Sequence, residues 1–216
     1  MIENTTAPSL TKSKTDLLLI FTRNPELGKV KSRLAADVGD KNALEVYKIL
    51  LKHTHTITKD LSVDKQVWYS ENLPEKDIWD AAIFEKKLQP NIKDLGGRME
   101  LAFKKGFSKG YQNIIIIGSD LYDISQIEIE RAFEVLKKNN AVIGPATDGG
   151  FYLLGLSKFI PELFKNKNWG TESVLNDTLI NLKNYSFEKL DPKNDIDYLS
   201  DLKGIEVFRP YTRIEK

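Results

Sequence analysis

Asp120 closes the run Asn113-Ile114-Ile115-Ile116-Ile117-Gly118-Ser119-Asp120, and Asp123 follows three residues later. Two carboxylates at such a turn offer hard oxygen donors to Mg²⁺ or Mn²⁺, ions that commonly bind one or two carboxylates together with substrate phosphates. The bland alternative is that Asp123 caps a helix and Asp120 only ends a strand. A second group of residues stands in Arg23-Asn24-Pro25-Glu26-Leu27-Gly28-Lys29-Val30-Lys31-Ser32-Arg33, where Arg23, Lys29, Lys31 and Arg33 surround the turn residue Gly28. Backbone amides in a glycine turn with cationic heads beside them suit a polyphosphate. This is no Walker A loop, because Arg23 stands where the leading glycine belongs and Val30 where a hydroxyl would bind magnesium. A solvated charged loop would look similar.

Two more loops carry candidates. Between Gln89 and Met99, Asp94 is placed to cap a helix, and Gly96 and Gly97 leave amides near its start for a phosphate or a flat base. In Gly144-Pro145-Ala146-Thr147-Asp148-Gly149-Gly150, Asp148 either forms a tight turn or projects into a cleft. His53 and His55 lie mid-helix among Lys52, Thr54 and Thr56, and are expected to be a non-catalytic surface pair.

The elements that must hold these loops alternate. Within Asp16–Thr22 and Asn113–Ile117, Leu17 to Phe21 and Ile114 to Ile117 are unbroken apolar runs bounded by polar residues, of the kind that form central strands covered on both faces. Residues 66–70, 83–88 and 141–145 read as further strands. Helices are expected after Asp40 (Leu44, Tyr47, Leu51, Ile57), through Leu95, Met99, Ala102 and Phe103, and after a Ser125/Glu128 capping box (Ile129, Ala132, Phe133, Leu136). Alternation of strand and helix predicts a mainly parallel α/β sheet with helices on both faces, whose ligands bind beyond the carboxyl ends of the strands. Phe151–Leu156 follows Gly149-Gly150 too soon for a helical crossover and is expected to be an antiparallel addition.

The 216 residues, 41% hydrophobic, can bury a full core and suit one domain over 15–216 behind a polar tail at 1–14. Lys+Arg 32 against Asp+Glu 31 gives +1, so no global field points to nucleic acid or an anionic membrane. The absence of cysteine excludes thiolate metal sites and a cysteine nucleophile, and agrees with a cytoplasmic setting. No apolar stretch is long enough to span a bilayer.

Together the loops resemble the DUF2064 family, assigned by similarity as glycosyltransferases of the nucleotide-diphospho-sugar transferase superfamily with the GT-A fold. The resemblance runs through Phe21 to Leu34, Asp94-Leu95-Gly96-Gly97-Arg98-Met99, Gly118-Ser119-Asp120 and Gly144 to Tyr152. It continues in Trp169 to Leu175 and in Asp195-Ile196-Asp197. It implies a single-domain GT-A-like fold and a metal-dependent transferase using a nucleotide sugar and an unknown acceptor. Arg23, Gly28, Lys29, Lys31, Arg33, Gln89, Asp94, Gly96 and Gly97 would bind the nucleotide. Asp120 and Asp197 would bind Mg²⁺ or Mn²⁺, Asp148 would orient or deprotonate the acceptor, and Gly149 and Gly150 would contact substrate. Asp197 could instead cap a short terminal helix. Arg23, Lys93, Gly97 and Leu121-Tyr122 depart from the family pattern of Lys, a small residue, an acidic residue and Cys-Pro. Lys93 is expected to narrow or recharge the substrate loop, and loss of the proline to loosen the acidic turn. A nucleotidyltransferase releasing pyrophosphate, or a silent nucleotide-binding module, would fit the same residues.

Overall fold

The computed structural model describes residues 15–212. The tail expected at 1–14 therefore lies outside the described residues. Among the described residues seven strands form one sheet in the order β3-β2-β1-β4-β6-β5-β7. In chain order the elements are β1 (Asp16–Thr22), α1 (Ser32–Thr58), β2 (Asp64–Tyr69), β3 (Phe84–Leu88), α2 (Leu95–Ser108), β4 (Asn113–Ile117), α3 (Gln126–Leu136), β5 (Ala141–Pro145), β6 (Phe151–Leu156), α4 (Val174–Leu182) and β7 (Phe187–Lys189). Short 3-10 turns at Leu199–Leu202 and Glu206–Tyr211 close the described chain.

The isoleucine run is a strand because both its faces are covered. Ile115 and Ile117 join Leu18 and Ile20 in a core beneath α1 and α3, while Ile114 and Ile116 join Leu17 and Leu19 against α2. Alternate side chains thus feed opposite cores, so a continuously apolar segment satisfies the two-residue period of a strand. β1 pairs in parallel with β4 in the register Leu17↔Ile114 to Ile20↔Ile117. The loops after Thr22 and Ile117 consequently leave the sheet side by side.

The antiparallel strand is β6, as expected, and it is an interior strand. It lies between β4 and β5, pairing Ile117↔Leu153 on one side and Gly144↔Leu153 on the other. After β4, α3 carries the chain past the neighbouring position to β5, leaving a gap one strand wide. The turn at Gly149 (φ 88) then sends β6 back into that gap. Gly144 is required there, because a Cβ would stand 2.4 Å from the Tyr152 ring.

α1 starts eight residues before the expected Asp40. Leu34 and Val38 bury the first segment, which breaks at Gly39 (φ 81, ψ 156) and resumes at Asp40. Arg33 is thereby a helical residue. His53 and His55 are not a surface pair. His53 Nε2 lies 2.8 Å from the Ile124 carbonyl and its ring meets Tyr122, while His55 sits between Trp79 and Phe84. The Ser125/Glu128 capping box forms as expected. No helix among the described residues is long and apolar enough to cross a membrane.

Candidate active site

Beyond the carboxyl ends of β1 and β4 lies a cavity of about 770 Å³, within the range that holds small ligands and cofactors. One wall carries Arg23, Lys29, Lys31 and Arg33 together with Asp120, Asp195 and Asp197; Phe21, Leu95, Met99 and Phe151 add apolar surface. Opposite charges together with apolar surface suit a ligand that is ionic at one end and flat or apolar at the other.

The floor is a cluster of hydroxyls. Thr22 Oγ1, Tyr47 Oη and Ser119 Oγ lie 3.1 Å from one another, and the Arg23 backbone N–H donates to Tyr47 Oη at 2.9 Å. Burial pushes the Tyr47 phenol above its ordinary pKa, so it remains a neutral donor and acceptor. Through it α1 ties the loop after β1 to the loop after β4. Gly118 allows the next step, since a Cβ there would stand 2.7 Å from Asp120 Oδ1.

Lys31 lies at the centre of the charged wall. Its Nζ is 3.2 Å from Asp120 Oδ2 and 2.9 Å from Asp197 Oδ1, and its side chain is 5% exposed. Burial pulls its pKa down, but Asp120 and Asp197 more than offset this and hold it above the ordinary lysine value. Lys31 is also left-handed (φ 49, ψ 47) at the start of α1, a conformation costing a non-glycine residue about 1–2 kcal/mol. Lys31, expected to hold phosphate, is here an ammonium clamped between two carboxylates. Arg33 Nη1 meets the other Asp197 oxygen at 3.1 Å and lies over the Tyr198 ring. Burial opposes ionisation of Asp197, yet Lys31 and Arg33 together lower its pKa.

Asp197 is therefore not a helix cap. The backbone N–H groups of Asp197 and Tyr198 instead donate to Asp201 Oδ2 at 2.9 and 2.7 Å. Asp195 was not singled out from the sequence, but it lines the same cavity. Its carboxyl is pushed up to about 8 by burial and by the charges of Asp120, Asp148 and Asp197, against the pull of Lys31. The signal was present in Asp195-Ile196-Asp197. Two-residue spacing in extended chain sets both acids on one side, while buried Ile196 donates its N–H to the Asp120 carbonyl at 3.3 Å.

The remaining candidates separate. Arg23 is exposed on the cavity wall, and its guanidinium has no hydrogen bond or ion pair among the described residues. Lys29 pairs with Glu26 at 2.7 Å and Glu71 at 3.2 Å. Gly28 (φ 73) makes the turn before it. Gln89 lines the cavity but spends its amide on the Trp68 carbonyl and on Arg98, a lining residue the sequence reading missed. Asp94 caps α2 by accepting the Gly97 N–H at 2.8 Å, so that amide is not open to a ligand. Gly96 is filled over by the Trp169 indole, which would meet a Cβ at 2.2 Å.

Asp148, Gly149 and Gly150 are not on the cavity wall. Asp148 is exposed and accepts the Gly150 N–H at 2.8 Å, the tight-turn arrangement, and Gly149 packs on the Glu172 backbone. At the acidic turn the two residues that stand in place of Cys-Pro are both packed. Leu121 is buried, and Tyr122 is wedged between the rings of His53 and Phe208.

Two carboxylates that converge on one ammonium can also converge on one hard cation, so Asp120 and Asp197 fit Mg²⁺ or Mn²⁺. No group of three acidic, histidine or cysteine side chains among the described residues forms a metal cage. A cation here would need phosphate and water to complete its shell.

A solved structure from Desulfovibrio desulfuricans G20, described as a candidate nucleotide-diphospho-sugar transferase, is 29% identical over 90% of each chain, with a TM-score of 0.80. The inositol-1-phosphate CTP transferase of T. maritima is 12% identical over 94% of this chain and 97% of its own, with a TM-score of 0.57, and shares the fold. Comparison with curated proteins gives no match. The model of the DUF2064 family, described as an uncharacterized protein conserved in bacteria, matches residues 53–171, more than half of the sequence, and the chain belongs to this family.

Proposed function

We propose that the protein is a nucleotide-binding transferase that uses a divalent cation, and that its donor is a nucleotide sugar. The observation that carries this reading is the convergence of Arg23, Lys29, Lys31 and Arg33 with Asp120 and Asp197 on one wall of the cavity. The description of the Desulfovibrio protein, at 29% identity, supports the sugar donor. In this reading Arg23 and Lys29 bind the diphosphate, Asp120 and Asp197 hold the cation, and the apolar surface receives base or sugar. A cation held there supplies positive charge opposite the charge that develops on the leaving phosphate. Asp148 stays the candidate for orienting the acceptor only if its turn opens, since its carboxylate is engaged with Gly150.

A thermal-shift panel of nucleoside mono-, di- and triphosphates and nucleotide sugars, with and without Mn²⁺, tests this directly. A ligand at about 100 times its Kd adds about 2.7 kcal/mol, or about 5–10 °C for a chain of this size. A shift with nucleotide sugars plus Mn²⁺, followed by release of nucleoside diphosphate, is the expected result. Pyrophosphate release from a triphosphate would establish nucleotidyl transfer instead, and no shift with any nucleotide would overturn the reading.

The pairing pattern also ranks the cations. Arg23→Ala should weaken a nucleoside diphosphate by about 10- to 100-fold while sparing the nucleoside, because a hydrogen bond to a charged group contributes about 1.5–3 kcal/mol. Lys29→Ala should cost less, since Lys29 must first leave Glu26 and Glu71. Calorimetric titration of both variants with a diphosphate and its nucleoside checks the ranking; equal losses for the two ligands would remove Arg23 from the phosphate site.

A further inference from the structure

We propose that Lys31 is a built-in competitor for the cation: its ammonium holds Asp120 and Asp197 until a diphosphate draws it off, so that nucleotide and cation bind far better together than apart. The inference rests on the nucleotide-and-cation reading above and adds to it a coupling device. The ammonium stands 3.2 and 2.9 Å from oxygens of the two carboxylates. Mg²⁺ binds such oxygens at about 2.0–2.1 Å. Ion and ammonium therefore claim the same gap, the ion needing it about 1 Å narrower on each side, and like charges cannot share it.

What happens to the displaced ammonium decides the coupling. With 5% of its side chain exposed, Lys31 cannot simply turn into water, and a charge stripped of its partners in a buried place is costly. Its other neighbours on this wall include the cations Lys29 and Arg33, which offer it no counter-charge. A diphosphate entering between Arg23 and Lys31 supplies the missing anion. A cation arriving alone must break two ion pairs without compensation; arriving with the diphosphate, it meets carboxylates already vacated and phosphate oxygens that complete its shell. The left-handed backbone at Lys31 is the local cost of aiming its side chain into this gap from the first residue before α1.

Mn²⁺ titrations by calorimetry, alone and with an equimolar mixture of ADP, CDP, GDP and UDP, test the proposal on wild type, Lys31→Met, Lys31→Gln and Lys31→Arg. Circular dichroism and gel filtration establish which variants fold, the Gln variant standing in if the Met variant does not. Wild type should bind Mn²⁺ weakly alone and at least about tenfold more tightly with the diphosphates. Lys31→Met should bind Mn²⁺ alone at least about tenfold more tightly than wild type, with a smaller enhancement by diphosphates, and Mn²⁺ alone should raise its melting temperature more. Lys31→Arg, which keeps the charge, should stay weak. If wild type binds Mn²⁺ with diphosphates but the folded neutral variants bind Mn²⁺ alone no better than wild type does, the competitor role is overturned and the nucleotide-and-cation reading stands. If no form binds Mn²⁺ under either condition, the reading itself falls.

Discussion

Asp120→Asn is expected to lower Mn²⁺-dependent nucleotide affinity at least about 100-fold, beyond the roughly 10- to 100-fold typical of losing an outer partner of a metal ligand, while the protein stays folded. The carboxylate is one of the two that already converge on the Lys31 ammonium, the place proposed for the cation, so its charge acts directly on the ion. Its structural duties are light. The side chain is 44% exposed, the tie to Ile196 runs through the Asp120 backbone carbonyl, and an amide oxygen can still accept from Lys31. Without metal the sign reverses: removing a negative charge beside the phosphates should leave diphosphate binding unchanged or slightly tighter. Titrations of wild type and variant with a nucleoside diphosphate, each with Mn²⁺ and with EDTA, separate the two effects. Equal affinity in the presence of Mn²⁺ would remove Asp120 from the cation site, and equal losses in both conditions would make it a phosphate-loop support.

The parts of the molecule that were legible in the sequence are those fixed by local periodicity. β1 and β4 could be read because Leu17 to Phe21 and Ile114 to Ile117 are unbroken apolar runs, short and flanked by polar residues, as a doubly covered strand requires. The Asp94 cap and the Ser125 capping box could be read because the groups that satisfy the first helical amides lie within three residues of them. What was not legible depends on partners distant in sequence. β6 carries no mark of which strands flank it, and its place is set by the gap that α3 leaves. The start of α1 is not marked in the sequence because Lys31 provides no side-chain cap and Gly39 breaks the helix just before Asp40, the residue that reads as its cap. The charged loop named the right cations but not their state. Lys31 meets acids 89 and 166 residues away, so nothing near it in sequence shows that it is already paired. Asp197 was ambiguous for the same reason, and the acid that accepts backbone N–H groups at this turn is Asp201.

Asp195→Asn should stabilise the protein, increasingly so as pH rises. In the unfolded chain this carboxyl releases its proton near 3.8; in the folded protein burial, and then the charges of Asp120, Asp148 and Asp197, raise it to about 8. Between those two values the unfolded state has given up a proton that the folded state keeps, so stability falls as pH climbs through the window and the full cost is felt above pH 8. Each pKa unit corresponds to about 1.4 kcal/mol, but the shift is shared with the neighbouring acids and the side chain is only partly enclosed. A gain on the order of 2–4 kcal/mol at pH 8.5 is therefore expected, or about 5–10 °C in melting temperature, shrinking to a third or less of that near pH 5, roughly one pKa unit above the unfolded value. The amide is close in size to the acid, so little repacking accompanies the change. Melting curves of wild type and Asp195→Asn at half-unit steps from pH 5 to 9, in EDTA, measure the difference directly. A gap that stays constant with pH, or a variant that melts below wild type at pH 8.5, would mean that the Asp195 carboxylate is ionised and supported in the fold. In that case it would join Asp120 and Asp197 as a third charged donor facing Lys31.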